Sequence, residues 1–388
     1  MKRIFVMDGR SRAALSIIRS LGRKGYHVIV GESYPCASFY SKYVSKKLIY
    51  PDPRKQPELF EEFILNWAKN HANAFLIPVR DDCTEICGKI KDELEQFVTL
   101  LVPNREQFEL ARDKYKTIEI ARQLNIPHPK TYLPKIDEDI DELKEKINLP
   151  FLIKPKVSSG SRGIVYIKNW NEFESHYKKI TSHFGVPMLQ EFIPQGGGFG
   201  VSLLLKNGEV YGKFTHKRIR EYPISGGPST LREGVAHPEM EEYAIRLMQH
   251  LKWDGVAMIE FRIDSRDGVP KLMEINPRFW GSLQTAVYSG VDFPHLLYLL
   301  GQGENCLKQL EYPLGRRVRW LLMGDILWFL SAPKTRSNIM DFLRFRSKNT
   351  SYEICKWDDL GPVYGTFLDA FNATFSRERR KHALDRGW

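Results

Sequence analysis

The chain has 388 residues, 42% of them hydrophobic, and a formal net charge of +11. That length exceeds a single ordinary core, so two or three packed domains are expected. No run is long enough to cross a bilayer, the longest candidate, WLLMGDILWFL at 320–330, being interrupted by Asp325. The positive charge is spread along the chain and is dense only at GRRVRW and in the closing SRERRKHALDRGW, without a recognition motif. A solvated surface that attracts anionic small molecules is expected, and no specific nucleic-acid partner. Five irregularly spaced cysteines fit a reducing compartment. Because MKRIFVMDGR enters a strand without a signal peptide, a cytoplasmic protein is expected.

In chain order, RIFVMDG predicts a strand. SRAALSIIRSLGRKG predicts a helix capped by Ser11, with positions 14, 15, 17, 18 and 21 on one apolar face, and YHVIVGES a second strand. This βαβ opening has only Gly9 in its first turn, so the three-glycine dinucleotide fingerprint is missing. A helix at 57–70, a strand at 74–79, a helix near 81–96 and the strand TLLVP at 99–103 continue a doubly wound pattern. Cys83 and Cys87, one helical turn apart, lack a second ligand pair and read as buried thiols. Asn104 caps a new helix, and the first domain boundary is placed there. Two helical patterns and an acidic surface helix at 136–146 follow. After 150 strands dominate, and beyond 290 the pattern turns mainly helical.

The hairpin VAMIEFRIDSRDGVPKLMEINPR, 256–278, places Glu260 and Glu274 inside apolar runs. If Arg266-Asp267-Gly268 is a three-residue loop with Gly268 left-handed, residues whose numbers sum to about 534 face each other. Glu260 then opposes Glu274 and shares a sheet face with Asn276. A two-residue turn would shift the register by one and separate the acids. Two close carboxylates in an apolar setting require either a proton or a cation between them. Two Glu and one Asn suit Mg²⁺, which takes its remaining ligands from phosphates and water. For an isolated hairpin, ion pairs with arginines such as Arg262 and Arg278 are the simpler account.

Three further segments bear on that choice. In IKPKVSSGSRG, Lys154 ends an apolar strand beside a loop of Ser158, Ser159, Gly160, Ser161 and Gly163, which joins two strands and can turn N–H groups toward anions. In MLQEFIP, 188–194, an apolar run is interrupted by Gln190 and Glu191 and stopped by Pro194, as in a linker between two sheets. KFTHKRIREYPISGGPST brings Lys213, Lys217, Arg218 and Arg220 together on one basic strand.

A lysine in a helix, IKP with a Gly-Ser loop, a QEFI hinge, an acid-bearing strand and MEINPR, in this order, resemble the ATP-grasp superfamily. The likeness is strongest to its carboxylate-amine ligase branch, related to the carbamoyl-phosphate synthase large chain. It covers about 1–300, and MEINPR behind an acid-bearing strand is its most specific element. The fold class it implies is α/β, with α+β in the catalytic part. It comprises a Rossmann-like pre-ATP-grasp domain at 1–103 and a two-subdomain ATP-grasp domain at 104–300, split into 104–187 and 188–300. A mainly helical extension, 301–388, completes the chain.

The resemblance makes Lys114, with Lys116 as the alternative, and Lys154 the phosphate lysines. It makes the loop residues Ser159, Gly160, Ser161 and Gly163 the phosphate cover, and it gives adenine to Gln190, Glu191, Phe192 and Ile193. Glu260, Glu274 and Asn276 would hold one or two Mg²⁺ or Mn²⁺. Arg278 would face the transferred phosphoryl group, and Arg218 or Arg220 would neutralise an acyl phosphate. The acid that many members carry after the hinge, for the ribose hydroxyls, is absent from PQGGGFG. PVRDDC at 78–83 is a candidate wall of the acceptor pocket. The implied activity joins a small-molecule carboxylate to an amine or ammonia at the expense of ATP, and a homodimer is compatible with it. The alternative is a catalytically silent ATP-binding sensor or scaffold.

Overall fold

The computed structural model describes residues 2–375, apart from 136, 137, 159, 161, 225 and 346. The first layer runs β1 (Arg3–Val6), α1 (Arg12–Arg23), β2 (His27–Glu32), β3 (Lys46–Ile49), α2 (Pro57–Asn70), β4 (Phe75–Ile77), α3 (Asp81–Lys89) and α4 (Lys91–Glu95). Its four strands pair in parallel in the order β3-β2-β1-β4, as βαβ crossovers require. Ser11 caps α1 by accepting from Ala13 N at 3.2 Å, and the helix buries Ala14, Ile17, Ile18 and Leu21 against the sheet. The expected strand at 99–103 contributes a single bridge, Thr99 to Phe75.

Asn104 and Gln107 form a reciprocal capping box that starts α5 (Arg105–Arg112), and Asp113 caps α6 (Lys114–Gln123). A small antiparallel sheet follows, built from β5 (Thr131–Tyr132), β6 (Phe151–Lys154), β7 (Val165–Ile167) and β8 (Met188–Glu191) in the order β5-β8-β6-β7. It carries α7 (Ile140–Lys146) and α8 (Trp170–Phe184). Helices α5 and α6 pack mainly on the strand Pro270–Asn276 of the next sheet. Ala111 and Ala121 join the core of the next sheet, beside Val201, Ile259 and Leu272.

That next sheet has seven strands in the order β13-β12-β9-β10-β11-β14-β15. Its long strands are β9 (Gln195–Lys206), β10 (Glu209–Glu221), β11 (Ser229–Val235), β12 (Gly255–Asp264) and β13 (Pro270–Asn276), with α9 (Pro238–His250) covering one face. The other face meets the first layer through α10 (Leu283–Tyr288) and α11 (Phe293–Gly301), whose Leu283, Phe293 and Leu297 share a core with α1 and β4. The C-terminal extension is less helical than its sequence suggests. β14 (Arg317–Arg319) and β15 (Thr350–Tyr352) prolong the large sheet, α12 (Ile326–Ser331) and α13 (Arg336–Leu343) lie between them in the chain, and α14 (Gly361–Phe375) packs on residues 37–40 of the first layer. No helix among the described residues is long and apolar enough to cross a membrane. The basic tail, 376–388, lies outside the described residues.

Candidate active site

The β12–β13 hairpin opposes Glu260 to Glu274 and Met258 to Asn276, the pairing expected from the sequence, but by a different route. Asp264 N bonds Val269 O, and Gly268 N bonds Asp264 O. The loop is therefore the four residues 265–268, one longer than expected, with Gly268 left-handed at φ 75°. Arg262 pairs with Lys271, and the register shifts back between Glu260 and Phe261 because Met273 is bulged out. The bulge reconciles two demands, since Leu272 and Ile275 both enter the core while Glu274 and Asn276 both face a cavity.

That cavity, about 170 Å³, lies between the large sheet and the first layer. Its walls include Glu260, Glu274, Asn276, Arg278, Arg218 and Gly160. An adjoining cavity of about 170 Å³ shares Glu274, Asn276, Arg278 and Gly160 and adds Lys114 and Ser158. Lys114, at the first position of α6, is buried, whereas Lys116 is exposed. Its Nζ reaches Ser158 O at 2.5 Å and Glu274 Oε2 at 3.3 Å. Its backbone N bonds Lys156 O at 2.9 Å, so helix, Gly-Ser loop and hairpin meet at this residue. Gly160 and Gly163 both have positive φ, 63° and 72°, as a tight loop closing over β6 and β7 needs. Ser159 and Ser161 lie outside the described residues.

Lys154 ends β6 fully inside the protein, with Nζ 3.4 Å from Gln190 Oε1. Burial pulls its ammonium down to about 8, against the pull of Glu274 and with the help of Lys114. Glu274 is lowered as well, but against its burial. Burial would raise its pKa, but Lys114 and Lys154 outweigh that and hold it below the usual carboxylate value. Burial likewise opposes the charge on Arg218, and Glu260, Glu221 and Glu274 more than reverse it. Arg218 meets Glu260 Oε2 at 2.5 Å, and Asn276 Nδ2 donates to Glu260 Oε1 at 3.1 Å. The acids are thus ion-paired, but with Lys114 and Arg218 rather than with Arg262 and Arg278.

Two carboxylates and the Asn276 carbonyl oxygen, which faces the cavity because its amide nitrogen is committed to Glu260, form an all-oxygen set suited to Mg²⁺. Among the described residues no group of three or more His, Cys, Asp or Glu side chains is placed to hold a metal. Cys83 and Cys87 are buried thiols, Cys83 donating to Asp8 Oδ1 at 3.1 Å. The donor set fits an ion that completes its shell with phosphate and water.

Arg278 is fixed by Asp81, Nε to Oδ1 3.2 Å, and donates to Phe279 O at 2.8 Å. Asp81 and its neighbours Val79 and Arg80 line the cavity, as PVRDDC suggested. Arg220 is a correction. The register of β10 against β11 slips between Arg218 and Arg220, so the extra residue, Ile219, turns the two arginines to opposite faces. Arg220 meets buried Asp325 at 2.8 Å and lies 4.2 Å from the centre of Trp328, away from the acids. Arg220→Met should therefore lower stability and leave turnover per folded molecule unchanged. The loss should stay below the roughly 3–5 kcal/mol of an orphaned buried ion, because Arg319 still holds Asp325. Denaturant melts paired with phosphate-release rates check both halves. Lys213 is taken by Glu241 at 2.6 Å, and Lys217 lies over Phe199.

The hinge residues stand beside this cavity and not in its walls. Gln190, central in the small sheet, donates to Thr131 Oγ1 at 3.1 Å and steadies Lys154. Glu191 bonds Lys130 N at 3.0 Å and Arg266 at 2.6 Å, tying the small sheet to the β12–β13 loop. Phe192 packs on Tyr166, ring centres 4.8 Å apart, and Ile193 is buried.

The sequence reading did not assign roles to the glycines of PQGGGFG. On β9, Gly198 and Gly200 lie between β10 and β12. A Cβ on Gly200 would meet His216 Cε1 at 2.5 Å and Met258 Sδ at 2.9 Å, and one on Gly198 would meet Arg218 Cδ at 3.2 Å. The bare strand is a trough through which Arg218 reaches Glu260. The glycine run 196–198 followed by Gly200 was the available signal. Gly200→Ala should cost about 1–3 kcal/mol of stability, read by denaturant titration. His216, another unassigned residue, is buried, bonds Ser282 at 3.2 Å, and is held neutral, burial and then Arg218 lowering it to about 3.

A loop joining two strands of a small sheet, facing an acid-bearing hairpin on a large one, is the arrangement of an ATP-grasp fold. Residues 156–322 match the family model described as ATP-grasp in the biosynthetic pathway with Ter operon. The D-alanine–D-alanine ligase of Neisseria gonorrhoeae is 29% identical over 202 residues, 48% of this chain and 66% of that one. The carbamoyl phosphate synthase large chain of Thermotoga maritima is 23% identical over 269 residues, 67% of this chain and 24% of that one. The chain thus spans less than two thirds of the length of these relatives. The biotin carboxylase domain of 2-oxoglutarate carboxylase from Hydrogenobacter thermophilus, solved with MgADP, superposes with a TM-score of 0.66 at 18% identity, covering 81% and 73% of the two chains. The chain is thus similar in sequence to ATP-grasp ligases and has the ATP-grasp fold.

Proposed function

We propose that the protein is an ATP-dependent ligase that activates a substrate carboxylate as an acyl phosphate and joins it to an amine or ammonia. The observation that carries this reading is the opposition of Glu260 and Glu274 on one sheet face, with Asn276, inside a ring of Lys114, Arg218 and Arg278. A site of cations, amides and metal-binding oxygens suits phosphoryl transfer, which asks mainly for positioning and charge neutralisation.

Lys114, Lys154 and the 158–163 loop take the phosphates, and Gln190 steadies Lys154. A carboxylate oxygen of the acid attacks the γ-phosphorus, the bond to the bridging oxygen breaks, and ADP leaves. The amine nitrogen then adds to the acyl carbon, phosphate departs with the C–O electron pair, and the nitrogen loses a proton to give the amide. Arg278, fixed by Asp81, faces the transferred group, and Arg218 counters charge on the acyl phosphate. Glu260, Glu274 and Asn276 would hold Mg²⁺, which would supply charge neutralisation for the transferred phosphoryl group.

A phosphate-release screen with Mg-ATP against a matrix of acids and amines tests the reading. One acid–amine pair should raise phosphate release well above ATP alone, with an amide as product. Tight ATP binding without stimulation by any pair would favour a silent nucleotide-binding protein.

A further inference from the structure

The cavity is more basic than activation of one carboxylate requires. Its walls also include Ser11, Arg12, Arg80, Ser229 and Arg232. Arg12 comes from the start of α1, Arg232 from β11, and both are almost wholly buried. They share one carboxylate, Glu353 of the C-terminal extension, at 2.5 and 2.6 Å, both through the same oxygen. Two guanidiniums against one carboxylate leave one positive charge uncompensated in a desolvated place. Arg12 Nε has no hydrogen-bond acceptor among the described residues. Arg80, less buried, makes no salt bridge among them.

The same two-to-one arrangement recurs at Asp325, shared by Arg220 and Arg319, but there aromatic rings of Trp328, Phe342 and Phe345 cover the guanidiniums and neither lines the cavity. Arg12 has Trp320 on one side, 3.8 Å from its ring centre, and the cavity at hand. Register relates Arg232 to Arg218. Arg232 sits directly opposite Arg218, so the two side chains leave the same sheet face from neighbouring strands. Their heads diverge, Arg218 toward Glu260 and Arg232 toward Glu353.

We propose that the acid activated beside Glu260 and Glu274 carries a second anionic group, carboxylate or phosphate, and that Arg12 and Arg232, held in place by Glu353, bind it with Arg80 at the rim. This rests on the ligase reading for the first acid group, and it makes the extension part of the substrate site. Glu353 is a positioning residue, because it orients the guanidiniums and does not line the cavity.

The test is thermal melting of the full chain with succinate, glutarate, adipate or inorganic phosphate, and with propionate and butyrate at matched ionic strength. At least one dianion should raise the melting temperature where the monoanions do not, and the carboxylate and phosphate arms separate the two sources. Arg232→Met leaves Glu353 and Arg12 as a balanced pair but removes the bonds to Thr285 and Ser229 O, and Arg80→Met, at a residue outside the core, is the variant that keeps the fold. Each should weaken the apparent dianion affinity by about 10-fold or more, from a charge-assisted contact, while ATP affinity stays at the wild-type value. Equal shifts from monoanions and dianions, or a dianion effect untouched by both variants, would overturn the proposal. Melting does not depend on turnover. Absence of any acid-stimulated phosphate release therefore contradicts the ligase reading, whereas release without dianion selectivity contradicts only this inference.

Discussion

Glu274→Gln and Glu274→Ala should each reduce ATP turnover by about 10³-fold or more, the scale expected when a group that stabilises transferring charge is removed. Glu274 is one of only two carboxylates on the metal-facing side of the hairpin, and its neighbours cannot replace it. Glu260 is committed to Arg218 and Asn276, and Asp81 to Arg278. The same change removes the counter-charge of Lys114 and Lys154, so ATP binding in the absence of Mg²⁺ should be no weaker than in wild type. A generally damaged protein would lose both. Phosphate release, ATP titration with and without Mg²⁺, and a melting curve give the three readings. Wild-type turnover by the folded variant would sink the metal assignment.

Lys154→Met should weaken ATP binding by about 10- to 100-fold, corresponding to one charge-assisted contact to phosphate. A pH dependence goes with it. Burial lowers Lys154 to about 8, from an ordinary value near 10.5. In the free protein the ammonium is therefore lost as pH rises through about 8, whereas bound triphosphate favours the charged form. ATP affinity should be flat below that pH and fall above it, by up to about tenfold per pH unit, with proton uptake on binding. Calorimetry in buffers of different ionisation enthalpy measures the uptake, and Lys154→Met should abolish it. The sign for stability is opposite to that of a salt-bridged lysine. A depressed folded-state value means that the unfolded chain holds more protons between about 8 and 10.5, so this residue's contribution to stability improves as pH rises through that window.

The layers and the acid pair were legible because they depend on local patterns. Ser11 and Asn104 cap where they stand, and alternation within β12 separates core from site. The opposition of Glu260 and Glu274 was reached through a three-residue turn that the structure lacks, and the bulge at Met273 restores the register that the longer loop shifts. Leu272 and Ile275, three apart and both in the core, are the trace of that bulge in the sequence. Arg220 failed for the same kind of reason at Ile219, since strand parity cannot foresee an inserted residue. β14 and β15 have three residues each, too few for alternation to show, and their pairing is set by the long strand beside them. Glu353 was invisible, because its partners Arg12 and Arg232 lie far away in the chain and only the fold joins them.

The central claim, an acyl phosphate made at the Glu260–Glu274 face, has a direct atomic signature. When the acid found by the screen is labelled with ¹⁸O in its carboxylate and consumed with its amine and Mg-ATP, one carboxylate oxygen must leave in the phosphate. Mass spectrometry should show one ¹⁸O per phosphate formed and one retained in the amide. Amide formed together with phosphate free of label would contradict the account.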